Sequence, residues 1–265
     1  MVKIITDLKA QYQELDNVVS DLYGESWALQ TPFYGWTIFD QVAHIAFFDH
    51  EALLAIENPG RFKDRTEKVM NIILSDGEWP AKTNPLLGAE HPDGLMSLWR
   101  KTRADLLNRL GQMDAKDRIL WYGPDMSARS FATARLMETW AHTQDVFDTL
   151  RLRRKNTDRL RHVAHIGVTT FNWSFKIRKL PPPKIKPRVE LTGPSGERWV
   201  WGEPDVSEIV RGSAEEFCMV VTQRRNIADT RLKYQGDKVK QWLTMAQAFA
   251  CIPQEPPAPG ERVTR

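Results

Sequence analysis

METWAHTQD, residues 137–145, sets a glutamate and a histidine four positions apart in a segment otherwise built to be buried. An α-helix advances about 100° per residue, so such positions share a face. On a helix over about 128–150, Glu138 and His142 lie with Phe131, Ala134, Ala141 and Asp145. Leu136, Trp140, Phe147 and Leu150 occupy the opposite side, and Met137 and Val146 fill the flanks. That helix is apolar over most of its circumference. Its glutamate and histidine therefore need partners, because an unpaired buried charge is costly. A divalent metal is one way to satisfy both, and other side chains are another.

The helices around it are read in the same way. Residues 2–23 place Ile4, Leu8, Tyr12, Leu15, Val18, Val19 and Leu22 at helical spacing. Thr37 stands three residues before Asp40, the spacing of a capping box, and should start a second helix through IFDQVAHIAFFDHEALLAI. Asn58-Pro59-Gly60 should stop it. KVMNIIL suggests a short helix, and SDGEWPAKTNPLLGAEHPDG, residues 75–94, reads as loop. A third long helix covers about 93–110 through Leu95, Leu98, Trp99, Leu106 and Leu110. Four long helices with antiparallel-compatible connections imply a bundle.

After the basic run RLRRKNTDRLR a further helix is expected over about 156–178, and PPPKIKP, residues 181–187, reads as a stiff linker. The character then changes. RVELT and RWVWG flank Gly193-Pro194-Ser195-Gly196 as a hairpin. DVSEIVRGSAEEFCMVVTQRR reads as helix, TRLKYQG as a third strand and DKVKQWLTMAQAF as a last helix. The expected organisation is a helical domain over 1–180, a small α+β domain over 181–252, and a disordered tail over 253–265.

Composition narrows the function classes. Thirty-seven basic residues nearly balance thirty-four acidic ones, so charge alone argues for neither a nucleic-acid nor a membrane surface. Two cysteines, Cys218 and Cys251, are too few for a disulfide framework, which fits a reducing, cytoplasmic setting. Cys218 lies among Phe217, Met219 and Val220 and reads as a small core residue. No signal peptide is read at the N-terminus, and no uncharged apolar run reaches the roughly 20 residues a transmembrane helix needs.

Catalytic zinc usually takes three protein ligands and keeps one position open. The second helix offers His44, on a face with Gln41, Phe48, Glu51 and Ala55. His50 lies about 120° away around that helix and is not expected to share an ion with it. The inferred metal set is His44, Glu138 and His142. From spacing alone, a hydrogen-bonded core histidine remains open for His44.

GWTIFDQVAHIAFFDH, residues 35–50, resembles the GW-x-x-x-x-x-VAH segment of the mycothiol-dependent maleylpyruvate isomerase family, part of the DinB-like metal-binding superfamily. Glu138-Thr139-Trp140-Ala141-His142, with Asp145 beyond, resembles the family's later E-x-x-x-H helix. VELTGPSGERWVWG, RGSAEEF, QRR and QGDKVKQWL resemble its C-terminal domain, in the same order. The match is closer to an uncharacterised metal-binding branch than to the isomerases themselves.

The resemblance implies an α+β chain: a DinB-like four-helix bundle followed by a small sterol-carrier-like domain. It implies zinc, with nickel or iron admissible, on His44, Glu138 and His142. It also implies a low-molecular-weight thiol that becomes ionised at the metal and attacks a small electrophilic substrate. The family arginine that meets the substrate matches Arg224 or Arg225, and a carboxylate on the substrate would pair with it. Glu51 or Asp145 could orient a ligand histidine, with an ordinary helix-surface aspartate the plainer reading of Asp145. The partner is thus a small molecule, with no membrane. RLRRK and PPPKIKPR lack regular aromatic interleaving, so nucleic acid is disfavoured. A metal-dependent hydrolase and a non-catalytic ligand-binding protein stay open, as does the oligomeric state, a homodimer included.

Overall fold

A computed structural model describes residues 1–74, 79–250 and 252–262. The chain divides into two compact units, Met1–Leu152 and Arg153–Arg265. Together they form a helix-rich α+β chain with small sheets.

In the first unit, α1 (Val2–Ser20) buries Ile4, Leu8, Tyr12, Leu15 and Val19 along one stripe. The capping box at the start of α2 (Ile38–Glu57) is present in both directions. Thr37 Oγ1 accepts from the Asp40 amide at 3.1 Å, and the Asp40 carboxylate accepts from the Thr37 amide at 2.9 Å. Asn58 ends α2 and at once begins α3 (Pro59–Leu74), where its side chain accepts the Arg61 amide at 3.1 Å. Pro59 stands at the first helical position, where a missing N–H is harmless.

The stretch read as loop holds a helix, α4 (Trp79–Leu87), despite its internal Pro85; Ser75–Glu78 lie outside the described residues. Tertiary contacts override the weak propensity. Trp79, Leu86 and Leu87 pack against Phe47, Phe48 and Val69, and the Asn84 amide donates to Asp40 at 2.8 Å. Next come α5 (Pro92–Gln112), a two-stranded ribbon of β1 (Arg118–Ile119) and β2 (Met126–Ser127), and α6 (Ala128–Thr149). The long helices pack as α2 on α5 and α6, and α1 on α5 and α6.

A buried polar knot ties those four helices together. The Asp49 carboxylate on α2 accepts Tyr12 Oη from α1 at 2.6 Å, Trp99 Nε1 from α5 at 3.0 Å and Arg135 Nε from α6 at 2.9 Å. Arg135 also donates to the Ile45 carbonyl at 3.2 Å. Burial, followed by the Asp49 charge, pushes the Tyr12 hydroxyl well above its ordinary range. For Arg135 burial is the largest influence and works downward, but the charges of Asp49, Tyr12 and Glu138 and the Asp49 hydrogen bond together outweigh it, and the guanidinium stays protonated.

In the second unit, the helix expected over about 156–178 is two helices, α7 (Leu160–Thr169) and α8 (Phe171–Lys176). The β-branched run Val168-Thr169-Thr170 breaks it, and the two threonine hydroxyls bond carbonyls one turn back. A four-stranded sheet follows in the order β4-β3-β5-β6. The expected hairpin is present as β3 (Arg188–Thr192) antiparallel to β4 (Arg198–Trp201). Ile209–Ser213 was expected to be helical but forms β5, parallel to β3; only Ala214–Val221 is helix, α9. Ser213 closes the strand and caps α9, accepting from the Glu215 amide at 3.2 Å. β6 (Lys233–Gln235) and α10 (Asp237–Leu243) complete the unit.

The units divide before α7, not at the proline-rich stretch, because α7 and α8 are packed into the second unit. A Cβ on Gly167 would come within 2.7 Å of Val221, and Phe171 stacks edge-on against Trp242 at 5.0 Å. Residues 253–262 are also held there. Asn226 donates to the Pro257 carbonyl at 2.8 Å, Asp229 accepts the Gly260 amide at 2.9 Å, and Arg262 donates to the Gln223 carbonyl at 2.9 Å. Cys251 and residues 263–265 lie outside the described residues. No helix among the described residues is long and apolar enough to cross a membrane.

Candidate metal centre

α6 is buried on nearly every side. Its threonines meet their own needs: Thr139 and Thr143 donate to carbonyls one turn back at 2.8 and 2.6 Å. Glu138 and His142 lie on this helix, with His142 Nε2 3.6 Å from Glu138 Oε2. α2 presents His44 across from them, its ring centroid 4.4 Å from that of His142. One ligand atom from each of His44, Glu138 and His142 lies within 4.8 Å of the other two. Among the described residues this is the one group of three or more His, Cys, Asp or Glu side chains so arranged. His142 is buried, whereas His44 and Glu138 are half-buried, so the cluster opens on one side. His50 stays apart, its Nδ1 3.4 Å from Glu51.

Two imidazoles and a carboxylate suit zinc, nickel or ferrous iron. An ion among these groups would take a lone pair from each imidazole and the charge of a carboxylate of which only about a quarter is exposed.

Aromatic rings surround the cluster. Trp36 lies nearly parallel to the His142 ring at 6.0 Å and tilted to His44 at 5.2 Å. Phe33 meets His142 edge-on at 5.3 Å, and Phe48 and Trp79 flank His44 at 4.9 and 5.8 Å. Phe33 and Trp36 come from a tight turn, TPFYGW, in which Tyr34 and Gly35 both take positive φ (53° and 71°). The Trp36 amide donates to the Phe33 carbonyl, and the Thr31 amide to the Trp36 carbonyl, at 3.1 and 2.7 Å.

The other ring nitrogen of His142 faces Gln41 on α2, with Nδ1 2.5 Å from Gln41 Oε1. Gln41 Nε2 donates in turn to Thr31 Oγ1 at 2.8 Å. Sequence reading placed Gln41 on the His44 face without giving it this role. Asp145 is not a helix-surface aspartate: it is buried, and its carboxylate lies 3.8 Å from His142 Nδ1. Glu51 is committed elsewhere, to Tyr122 Oη at 2.6 Å and Arg65 at 2.8 Å. Burial raises its pKa, but the hydrogen bonds from His50 and Tyr122 and the Arg65 charge bring it below the ordinary value.

Arg224 and Arg225 follow α9 and are buried. Gln223 takes a left-handed φ of 59°; its amide bonds the Val220 carbonyl at 3.0 Å and that of Arg224 bonds Met219 at 2.7 Å. This Schellman-type end turns the chain inward. The Arg224 guanidinium donates to the Thr222 carbonyl at 2.8 Å, and that of Arg225 to the Arg224 carbonyl at 2.8 Å. In the same unit Cys218 is fully buried, which pushes its thiol well up. Arg154, within the basic run, is buried too, and its charge acts on Glu215.

Residues 8–147 match the family model of the mycothiol maleylpyruvate isomerase N-terminal domain. The chain belongs to that family. Two relatives, uncharacterized proteins from the CDC 1551 and H37Rv strains of Mycobacterium tuberculosis, are each 41% identical over 249 residues, covering 94% of this chain and 96% of theirs. The fold is similar to the crystal structure of mycothiol-dependent maleylpyruvate isomerase, with a TM-score of 0.52 and 17% identity over 82% of this chain and 87% of that one. A histidine-to-alanine mutant of that enzyme matches with a TM-score of 0.53 and 15% identity over the same shares.

Proposed function

We propose that His44, Glu138 and His142 hold a divalent metal, most simply zinc, and that the chain is a thiol-dependent isomerase or transferase acting on a small electrophilic substrate. The observation that carries this reading is the convergence of three donor groups from α2 and α6 in a family whose named member is mycothiol-dependent. In the same reading α1, α2, α5 and α6 form a DinB-like bundle, and the second unit is sterol-carrier-like.

A bound ion would supply Lewis acidity, which lowers the pKa of a coordinated thiol or water. The protein's own groups do the rest. Glu138 brings the negative charge that favours a cation between the imidazoles. Phe33, Trp36, Phe48 and Trp79 limit water around His44 and His142, and their faces suit an apolar or planar substrate portion. Arg224 or Arg225 is assigned to a substrate carboxylate, for which a guanidinium fork provides a bidentate partner.

The test is titration of the cobalt(II)-substituted protein with mycothiol, followed by absorbance. A saturable sulfur-to-cobalt charge-transfer band is expected. A protein that holds cobalt at His44, Glu138 and His142 but develops no such band at millimolar mycothiol would overturn the thiol-dependent reading.

A further inference from the structure

A histidine that ligates through one ring nitrogen must carry its proton on the other, and whatever that proton faces decides the tautomer. In His142 each ring nitrogen has a carboxylate nearby, at 3.6 Å from Nε2 and 3.8 Å from Nδ1, and what separates them is the close contact of Nδ1 with Gln41. Nε2 looks toward Glu138, 3.6 Å away, on the side where the donor cluster lies. Nδ1 faces two acceptors, Gln41 Oε1 at 2.5 Å and the Asp145 carboxylate at 3.8 Å. A side-chain amide offers an oxygen or an NH₂, so Gln41 specifies the tautomer only if its own orientation is fixed. Thr31 Oγ1 accepts from the amide NH₂ at 2.8 Å when Oε1 is turned to His142, and the Asp145 carboxylate beside Nδ1, which can only accept, selects that arrangement over the flipped one. Gln41 and Thr31 are both buried, and Thr31 is anchored by its amide bond to the Trp36 carbonyl.

We infer that Gln41, held by Thr31 and set by the neighbouring Asp145 carboxylate, is a positioning residue that keeps the His142 proton on Nδ1 and turns Nε2 toward Glu138 and His44. α2 thereby supplies one candidate ligand, His44, and, one turn earlier, the group that orients another. The aromatic turn and the metal set are coupled through Thr31, which closes the turn and holds the amide. The tautomer assignment stands on hydrogen bonding alone; its effect on affinity rests on the metal reading above.

The experiment uses the full chain with ¹⁵N-labelled histidine. Long-range ¹H–¹⁵N spectra of the metal-free protein, at a pH where imidazole is neutral, report which nitrogen of His142 is protonated. Competition with a chromophoric chelator reports zinc affinity. Wild type should show Nδ1–H. Gln41→Leu should give a mixture of tautomers and bind zinc about 10- to 100-fold more weakly. Gln41→Glu keeps an acceptor toward Nδ1 and can accept the Thr31 hydroxyl proton, so it should restore both readouts. Should Gln41→Leu not fold, Thr31→Val, nearly isosteric, releases the amide and should shift both readouts the same way. An Nε2–H tautomer in wild type, or a Gln41→Leu protein with wild-type tautomer and affinity, would overturn the inference. Nδ1–H that depends on Gln41 in a protein that binds no zinc would support the positioning role and overturn the metal reading.

Discussion

Removing one side of the Asp49–Arg135 pair should nearly unfold the helical unit, and removing both should do little further harm. Both groups are almost wholly buried and 2.9 Å apart. Asp49→Leu leaves a guanidinium without its anion in the interior, which costs about 3–5 kcal/mol. Arg135→Met leaves Asp49 the Tyr12 and Trp99 donors, so about 3 kcal/mol is expected. Independent effects would sum to about 7 kcal/mol. The double variant should instead cost about 4 kcal/mol, a coupling of about 3 kcal/mol, because no lone charge remains. Total stability is on the order of 5–15 kcal/mol, so these losses are large. Hydrogen exchange of α2 and α6 peptides in the full chain reads the first unit directly, and 4 kcal/mol corresponds to roughly a thousandfold faster exchange. A loss below about 1 kcal/mol in Asp49→Leu, or additive costs in the double variant, would refute the reasoning.

Gln11 is fully buried with neither side-chain polar atom hydrogen-bonded, so Gln11→Met should stabilise the first unit by about 1 kcal/mol, measured by thermal melting. Gly167→Ala would drive a Cβ against Val221 and Phe217; despite the gain in helix propensity it should destabilise the second unit by about 1–3 kcal/mol, with faster exchange in α7 and α9 and none in α2. The Glu190 carboxyl is held at about 2, first by the Arg188 hydrogen bond, then by those of Arg211 and Arg198, which outweigh burial. Because this folded value lies below the ordinary 4.5, the stabilisation is complete above about pH 4.5 and fades as pH falls toward 2. Glu190→Gln should flatten that part of the pH–stability curve in chemical unfolding of the second unit.

Much of the first unit was legible because its signals are local. Thr37 and Asp40 mark a helix start from three residues' separation, and Glu138 and His142 share a face by spacing alone. His44 needed the resemblance, since nothing local distinguishes a ligand from a core histidine. The polar support was not legible. Gln41 and His142 are 101 residues apart, Asp49 and Arg135 86 apart, and no periodicity pairs them. β5 was hidden because five residues of strand run directly into the cap of α9, so the apolar pattern of the helix extends backward over IVRGS. α4 was hidden by Pro80 and Pro85, whose signal against helix yields to packing on Phe47 and Phe48. The burial of Arg224 and Arg225 depends on a left-handed Gln223, a conformation that glutamine does not advertise.

The most direct test of the central claim is the metal content of the purified protein by elemental analysis, wild type beside His142→Ala and Glu138→Ala. The account expects near-stoichiometric zinc, nickel or iron in wild type and its loss in both variants, each still folded by circular dichroism. A wild-type protein that holds no metal, even after incubation with zinc, or variants that retain it in full, would contradict the account.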